Sequence, residues 1–162
     1  MTTYDVVDEA TIAATPAEIM QALLDEAAGR SQWWQPDLRM RQRGDQPPTE
    51  IGAVVDITVN SGQLPQRWAM VRFSGRVIDF EPERRLVLDY FDGDFRGTAE
   101  WTLSPADAGY THIAVRFMTD PHGGMRLRAR FADVPSINSA VMQKGFRAIE
   151  RYAAGKRAEA GE

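Results

Sequence analysis

From Ala53 to Met118 the chain alternates apolar and polar residues in long runs separated by turn signals. From Ser136 to Arg157 the period changes to that of an amphipathic helix. Successive strands followed by one long helix can bury both apolar faces in few ways, and the simplest is a curved antiparallel sheet wrapped around the helix. On the order of 22 helical residues span roughly 33 Å, and a ten-residue strand spans about the same. The helix therefore lies along the whole concave face, a plan that leaves an apolar cavity and predicts a small apolar molecule inside it.

The first third of the chain completes this plan. Thr3 to Ala13 reads as a strand. Thr15-Pro16-Ala17-Glu18 reads as a capping box with Pro at the first helical position, so a helix starts at Pro16. Ile19, Leu23 and Ala27, beside Met20 and Leu24, give it one apolar face, with Gln21 and Asp25 toward water. Gly29 ends it. A second short helix is expected to close at Trp33-Trp34, because Pro36 disfavours helical geometry at Gln35. Leu38 to Arg43 reads as an edge strand, Gly44 to Glu50 as a loop and Gly62 to Pro65 as another. Strands at Arg67 to Phe80 and Arg84 to Phe91 follow. After the Asp92-Gly93-Asp94 hairpin signal come Phe95 to Leu103, a turn at Pro105 to Gly109, and Tyr110 to Met118.

The phase of each strand follows from the charge it would bury. Phe95, Gly97, Ala99, Trp101 and Leu103 inward leave Arg96 and Glu100 outside, and Ile113, Val115 and Phe117 inward leave His112 and Arg116 outside. The opposite phase would bury charges without partners, at several kcal/mol each. Ala53, Val55, Ile57 and Val59 take the inner face of their strand, and Leu88 and Tyr90 that of theirs. Phase is less clear on Arg67 to Phe80, where Trp68 and Met70 share a face with Arg72 while Val71, Phe73 and Val77 share the other; a bulge near Asp79 would return Phe80 to the inside. On the last helix Ile137, Val141, Met142, Phe146, Ile149 and Ala153 form the apolar stripe, and Lys144, Arg147, Glu150 and Arg151 face water. Gly145 lies between them, either a tolerated glycine or space left for a ligand.

With 19 Lys and Arg against 23 Asp and Glu the net charge is −4. No overall positive field draws in nucleic acid or an anionic membrane. Absence of cysteine removes disulfides and thiolate chemistry, and two histidines make a metal site improbable on composition, so neither metal nor cofactor is expected. No apolar run approaches the ~20 residues of a membrane span. Met1 to Asp5 lacks a basic segment leading into an apolar one, which predicts a cytoplasmic protein. We expect one domain over 1–158 and a charged tail over 159–162, with homodimer formation left open.

Ala10 to Ile19, Trp33-Trp34-Gln35-Pro36, Gly75 to Leu88 and Gly97 to Pro105 occur in an order that resembles the START-related SRPBCC superfamily, in particular its bacterial polyketide cyclase/dehydrase and lipid-transport branch. That resemblance covers nearly the whole chain. It implies an α+β helix-grip fold: about seven antiparallel strands, two short helices after the first strand, and a long C-terminal helix. It also implies a deep apolar pocket between sheet and helix. Thr119 to Pro135 is longer than a plain connection into the last helix, and such an insertion reshapes the pocket mouth.

The expected ligand-binding wall combines Val55, Ile57, Val71, Phe73, Leu88, Tyr90, Trp101, Val115 and Phe117 of the sheet with Met142, Phe146 and Ile149 of the helix. Trp33 and Trp34 either form a lid on it or staple the early helices to the sheet. Tyr90 and Trp101 are its polar handles, free to orient a ligand carbonyl or hydroxyl or to pair internally. Tyr90, His122 and Arg126 are the only catalytic candidates; His122 lies in an exposed turn, and Met125 to Phe131 either presents guanidinium groups to an anionic head group, a carboxylate or phosphate, or is a solvated basic stretch, in strand-like form or as a helical lid. Nucleophile elbow, phosphate loop and dinucleotide fingerprint are all missing from the sequence. Three functions follow: a carrier or sensor of a lipid-like or polyketide-like molecule, a cyclase/dehydratase that moulds its substrate, and a protein-interaction module using the Trp33-Trp34 surface.

Overall fold

The computed structural model describes residues 3–62 and 69–161. Its elements run β1 (Tyr4–Ile12), α1 (Pro16–Ala27), β2 (Leu38–Gln42), β3 (Val54–Asn60), β4 (Met70–Glu81), β5 (Arg85–Gly93), β6 (Phe95–Pro105) and β7 (Thr111–Pro121). A single turn, α2 (Met125–Arg128), continues as a 3₁₀ turn (Ala129–Phe131) into α3 (Val134–Ala160). The seven strands form one sheet in the order β1-β7-β6-β5-β4-β3-β2, every neighbouring pair antiparallel. α3 crosses the concave face, packed on β1 and α1, which gives the α+β helix-grip architecture.

The phase argument holds where charge decides it. On β6 and β7 the predicted inner residues are buried, apart from Gly97, which is half-buried, and outer charges find partners: Arg116 clamps Asp5 through two bonds of 2.9 and 2.7 Å, and Glu100 meets Arg85 of the neighbouring strand at 3.5 Å. On β4 the register slips between Val77 and Asp79, putting Ile78 outside and returning Phe80 to the core side, as the predicted bulge requires. Trp68 and the start of the strand predicted from Arg67 lie outside the described residues.

Several expectations are corrected. No second helix precedes Trp33-Trp34: residues 33–37 form turns, with a cis peptide at Gln35-Pro36. The segment between Gly29, at φ 79°, and Pro36 is too short to hold a helix without packing to support it, and the amides here close isolated turns instead, Gln35 N–H on the Gln32 carbonyl and Leu38 N–H on the Trp34 carbonyl. Asp25 is buried rather than wet, because Gln21, Arg30 and the Tyr152 hydroxyl of α3 all donate to it at 2.8–3.0 Å. β7 runs three residues past Met118, so part of the presumed insertion is strand. α3 begins at Val134 rather than Ser136, since Asp133 caps the Ser136 N–H and Pro135 fits a first turn, where no amide donor is needed. It continues through Ala160, taking the start of the tail into the helix. Among the described residues no helix is long and apolar enough to cross a membrane.

Candidate functional site

α3 meets the sheet in two unlike ways along its length. Past Gly145, Phe146, Ile149 and Ala153 are buried among Ile12, Ile19, Leu23 and Ile113 of a solid core. Before Gly145, Val134, Ile137, Asn138, Val141 and Met142 line a pocket. Its cavity volume is about 90 Å³, several times the ~10–15 Å³ that one water requires.

The boundary between these halves is Trp34. Its indole lies against Gly145, where an added Cβ would come within 2.5–2.7 Å of the ring atoms. Its Nε1–H donates to the Val141 carbonyl at 3.1 Å, and its backbone N–H donates to Glu26 Oε1 at 3.1 Å. The space left by Gly145 therefore belongs to Trp34, not to a ligand. Glu26 is completely buried and also accepts from Arg41 Nη1 at 3.2 Å. Burial pushes its carboxyl above the usual range despite the opposing pull of the Trp34 N–H and the Arg41 guanidinium. Trp33 stacks on the outer side of Trp34, centroids 5.1 Å apart, and donates to the Ala22 carbonyl, so it braces the floor from outside instead of lining the pocket.

The sheet side of the pocket is aromatic: Phe73, Tyr90, Phe95 and Phe117 touch edge-to-face or tilted, and Trp101 meets Trp34 at 90° and 5.8 Å. Tyr90 sits opposite Gly75 on β4, where a Cβ would lie 2.9 Å from its ring; the glycine lets the phenol lie against the strand. Tyr90 and Trp101 are each only 6 % exposed, and neither the hydroxyl nor the indole N–H makes a hydrogen bond among the described residues. Burial holds the Tyr90 phenol far above the ordinary phenol range, so it stays a neutral donor. Two polar groups on residues of the wall thus lack a protein partner, and neither atom is sealed from solvent, so a ligand or water can reach them.

Of the expected wall, Trp34, Ile57, Val71, Phe73, Leu88, Tyr90, Trp101, Phe117 and Met142 come together on the pocket. Val55, Val115, Phe146 and Ile149 are sealed in the packed core. His122 and Arg126 stand off the pocket; the His122 N–H pairs with the Asp94 carbonyl at 2.8 Å, and the Arg126 side chain is exposed. The Arg that does reach the wall is Arg128, whose Nη2 donates to the Met70 carbonyl at 3.2 Å. Sequence reasoning placed Arg128 in the basic stretch Met125 to Phe131 but singled out Arg126, because the conformation of 119–135 was open. Asn138 was missed too, although a polar residue four positions from both Val134 and Met142 on an apolar stripe is a readable signal; its Nδ2–H donates to buried Asp8 at 3.0 Å.

The half-buried members of the wall mark where it meets solvent. They are Val59 and Ser61 at the end of β3, and Arg128, Ala132, Ile137 and Asn138 around the entry to α3. α2 and the 3₁₀ turn therefore flank the mouth.

Similar architecture occurs in the Zhui aromatase/cyclase of Streptomyces sp. R1128 (13 % identity, 93 % of each chain covered, TM-score 0.67). A START superfamily protein of Mycobacterium smegmatis shares 15 % identity over 93 % of this chain and 97 % of its own, TM-score 0.64. The protein TTHA0849 of Thermus thermophilus shares 13 % identity over 94 % of this chain and 99 % of its own, TM-score 0.70. At these identities the likeness is one of fold. No curated protein matches the sequence. The family model for polyketide cyclase/dehydrase and lipid transport proteins matches residues 3–154, and the chain belongs to that family.

Proposed function

We propose that this protein is a cytoplasmic binder of a hydrophobic small molecule, lipid-like or polyketide-like, held between the sheet and the first half of α3. The observation that carries the reading is the pair of donors without a protein partner among the described residues, Tyr90 O–H and Trp101 N–H, in a wall that is aromatic and aliphatic apart from Ser61, Arg128 and Asn138 at its mouth. Flat rings favour a flat guest, and two donors favour one bearing a carbonyl or ether oxygen. The pocket is narrow, but Met40, Met125 and Met142 supply unbranched, adaptable side chains on three sides. Among the described residues the wall carries no carboxylate or imidazole, so binding stands ahead of a cyclase/dehydratase reaction, which has only the neutral Tyr90 phenol as a proton donor. The third reading, a protein interface on Trp33-Trp34, is weaker because both rings are committed to the floor.

Native mass spectrometry of the purified protein, followed by titration of indole fluorescence with 9-fluorenone and with its hydrocarbon parent fluorene, tests this reading. Tyr90→Phe is expected to leave the fold intact, to weaken fluorenone about tenfold and to leave fluorene unchanged, the worth of one hydrogen bond. Equal loss for both compounds would remove Tyr90 as the handle, and no binding of either would remove the pocket as a ligand site.

A further inference from the structure

The turn that flanks the mouth shows two faces. Inward it offers Met125 and Arg128 to the pocket; outward it offers Leu127, 60 % exposed, and Phe131, at 76 % the most exposed large apolar side chain described. Arg126 and Arg130 are exposed beside them, and neither has an ion-pair partner among the described residues. Phe131 is more exposed than any other described aromatic ring, Tyr110 following at 47 %, and it lies between two unneutralised guanidinium groups next to the opening of an apolar pocket.

We infer that Arg126, Leu127, Arg130 and Phe131 form a docking surface for an anionic lipid bilayer. Two apolar side chains on a seven-residue protrusion fall well short of the roughly 800 Å² per partner of a stable protein interface. They suffice for shallow insertion at the level of lipid headgroups, where arginines pair with anionic lipid. A symmetric pairing of two copies through this turn would bring the arginines of both together, which opposes self-association. The chain as a whole carries −4, but its acids elsewhere are screened beyond about 8 Å at physiological salt, so the nearest charges decide. Binding through this turn would set the pocket mouth against the bilayer. That consequence rests on the ligand reading above, whereas the docking itself does not.

The test uses the full chain in flotation with vesicles of phosphatidylcholine alone or with roughly one-third phosphatidylserine. Flotation is expected with the anionic vesicles only and is expected to fall as salt is raised. Arg126→Gln with Arg130→Gln should weaken it about twenty-five-fold, at about fivefold per arginine near the surface. Leu127→Ser with Phe131→Ser should abolish it, each protein first checked for native circular dichroism and fluorene binding, which report fold and pocket separately. Equal flotation on neutral vesicles, no flotation, insensitivity to both variant pairs, or a dimer that dissolves on Phe131→Ser would each overturn the inference. Loss of fluorene binding in the parent chain with flotation retained would instead remove the pocket reading and leave the surface standing.

Discussion

The two halves of α3 are made of similar residues and do different things. The second half presses Phe146, Ile149 and Ala153 into a filled core; the first half presents Val134, Val141 and Met142 to a hollow. Hydrophobicity does not distinguish them. What does is the partner supplied by the rest of the chain: α1 with its Ile19 and Leu23 lies under the second half, and the pocket lies under the first, with the Trp34 indole set across the groove at Gly145 as a partition. A cavity here is therefore not loose packing. It is a compartment with a built floor.

Paired truncations break the comparison most directly. Phe146→Ala in the solid half should cost about 3–5 kcal/mol, whereas Met142→Ala beside the hollow should fall near the lower end of about 2–5 kcal/mol, because one side of Met142 already lacks contacts. Urea denaturation of the two variants gives both numbers, and equal losses would mean the hollow is filled in solution.

Gly145→Ala addresses the partition itself. Alanine gains about 1 kcal/mol of helix propensity, but overpacking against a hydrogen-bonded indole costs about 1–3 kcal/mol. Net destabilisation with a shifted tryptophan emission is expected, and a more stable protein with unchanged emission would show that Trp34 does not sit there.

Two neighbouring carboxylates sharpen the contrast further through opposite pH dependence. Glu26 holds the partition and its pKa is raised from 4.5 by burial, so its contribution is full below that value and is lost as pH rises through the folded pKa. Asp25 ties α1 to the solid half through Tyr152. Burial alone would raise its pKa, but bonds from Gln21, Tyr152 and Arg30 outweigh this and lower it from 3.8; its contribution is present above that value and lost as pH falls through the folded pKa. Measured against Glu26→Gln, the parent chain should lose relative stability from about pH 4.5 upward; measured against Asp25→Asn, it should lose it below about pH 4. Parallel slopes for the two variants would contradict the assignment.

Sheet, strand phase and the long helix were legible because each rests on a short-range signal: alternation, a turn dipeptide, a capping box, or a charge that would otherwise be buried. The aromatic wall was mostly legible for the same reason, as Phe73, Tyr90, Trp101 and Phe117 sit on inward phases. Asp25 misled and Glu26 gave no sign of its role, because helical spacing shows only which face a carboxylate is on. It does not show that Tyr152, Arg41 and the Trp34 amide arrive from other parts of the chain to satisfy them. Gly145 misled for a related reason, since an absent side chain reveals space but not its occupant.

The sequence by itself determined a curved antiparallel sheet closed by one helix, and which residues look inward, because periodicity and the cost of buried charge act within a few residues. Only the tertiary structure decided where the interior is solid and where it is open. That depends on Trp34 meeting Gly145, a contact between positions more than one hundred residues apart, and on how the turn after β7 folds at the mouth.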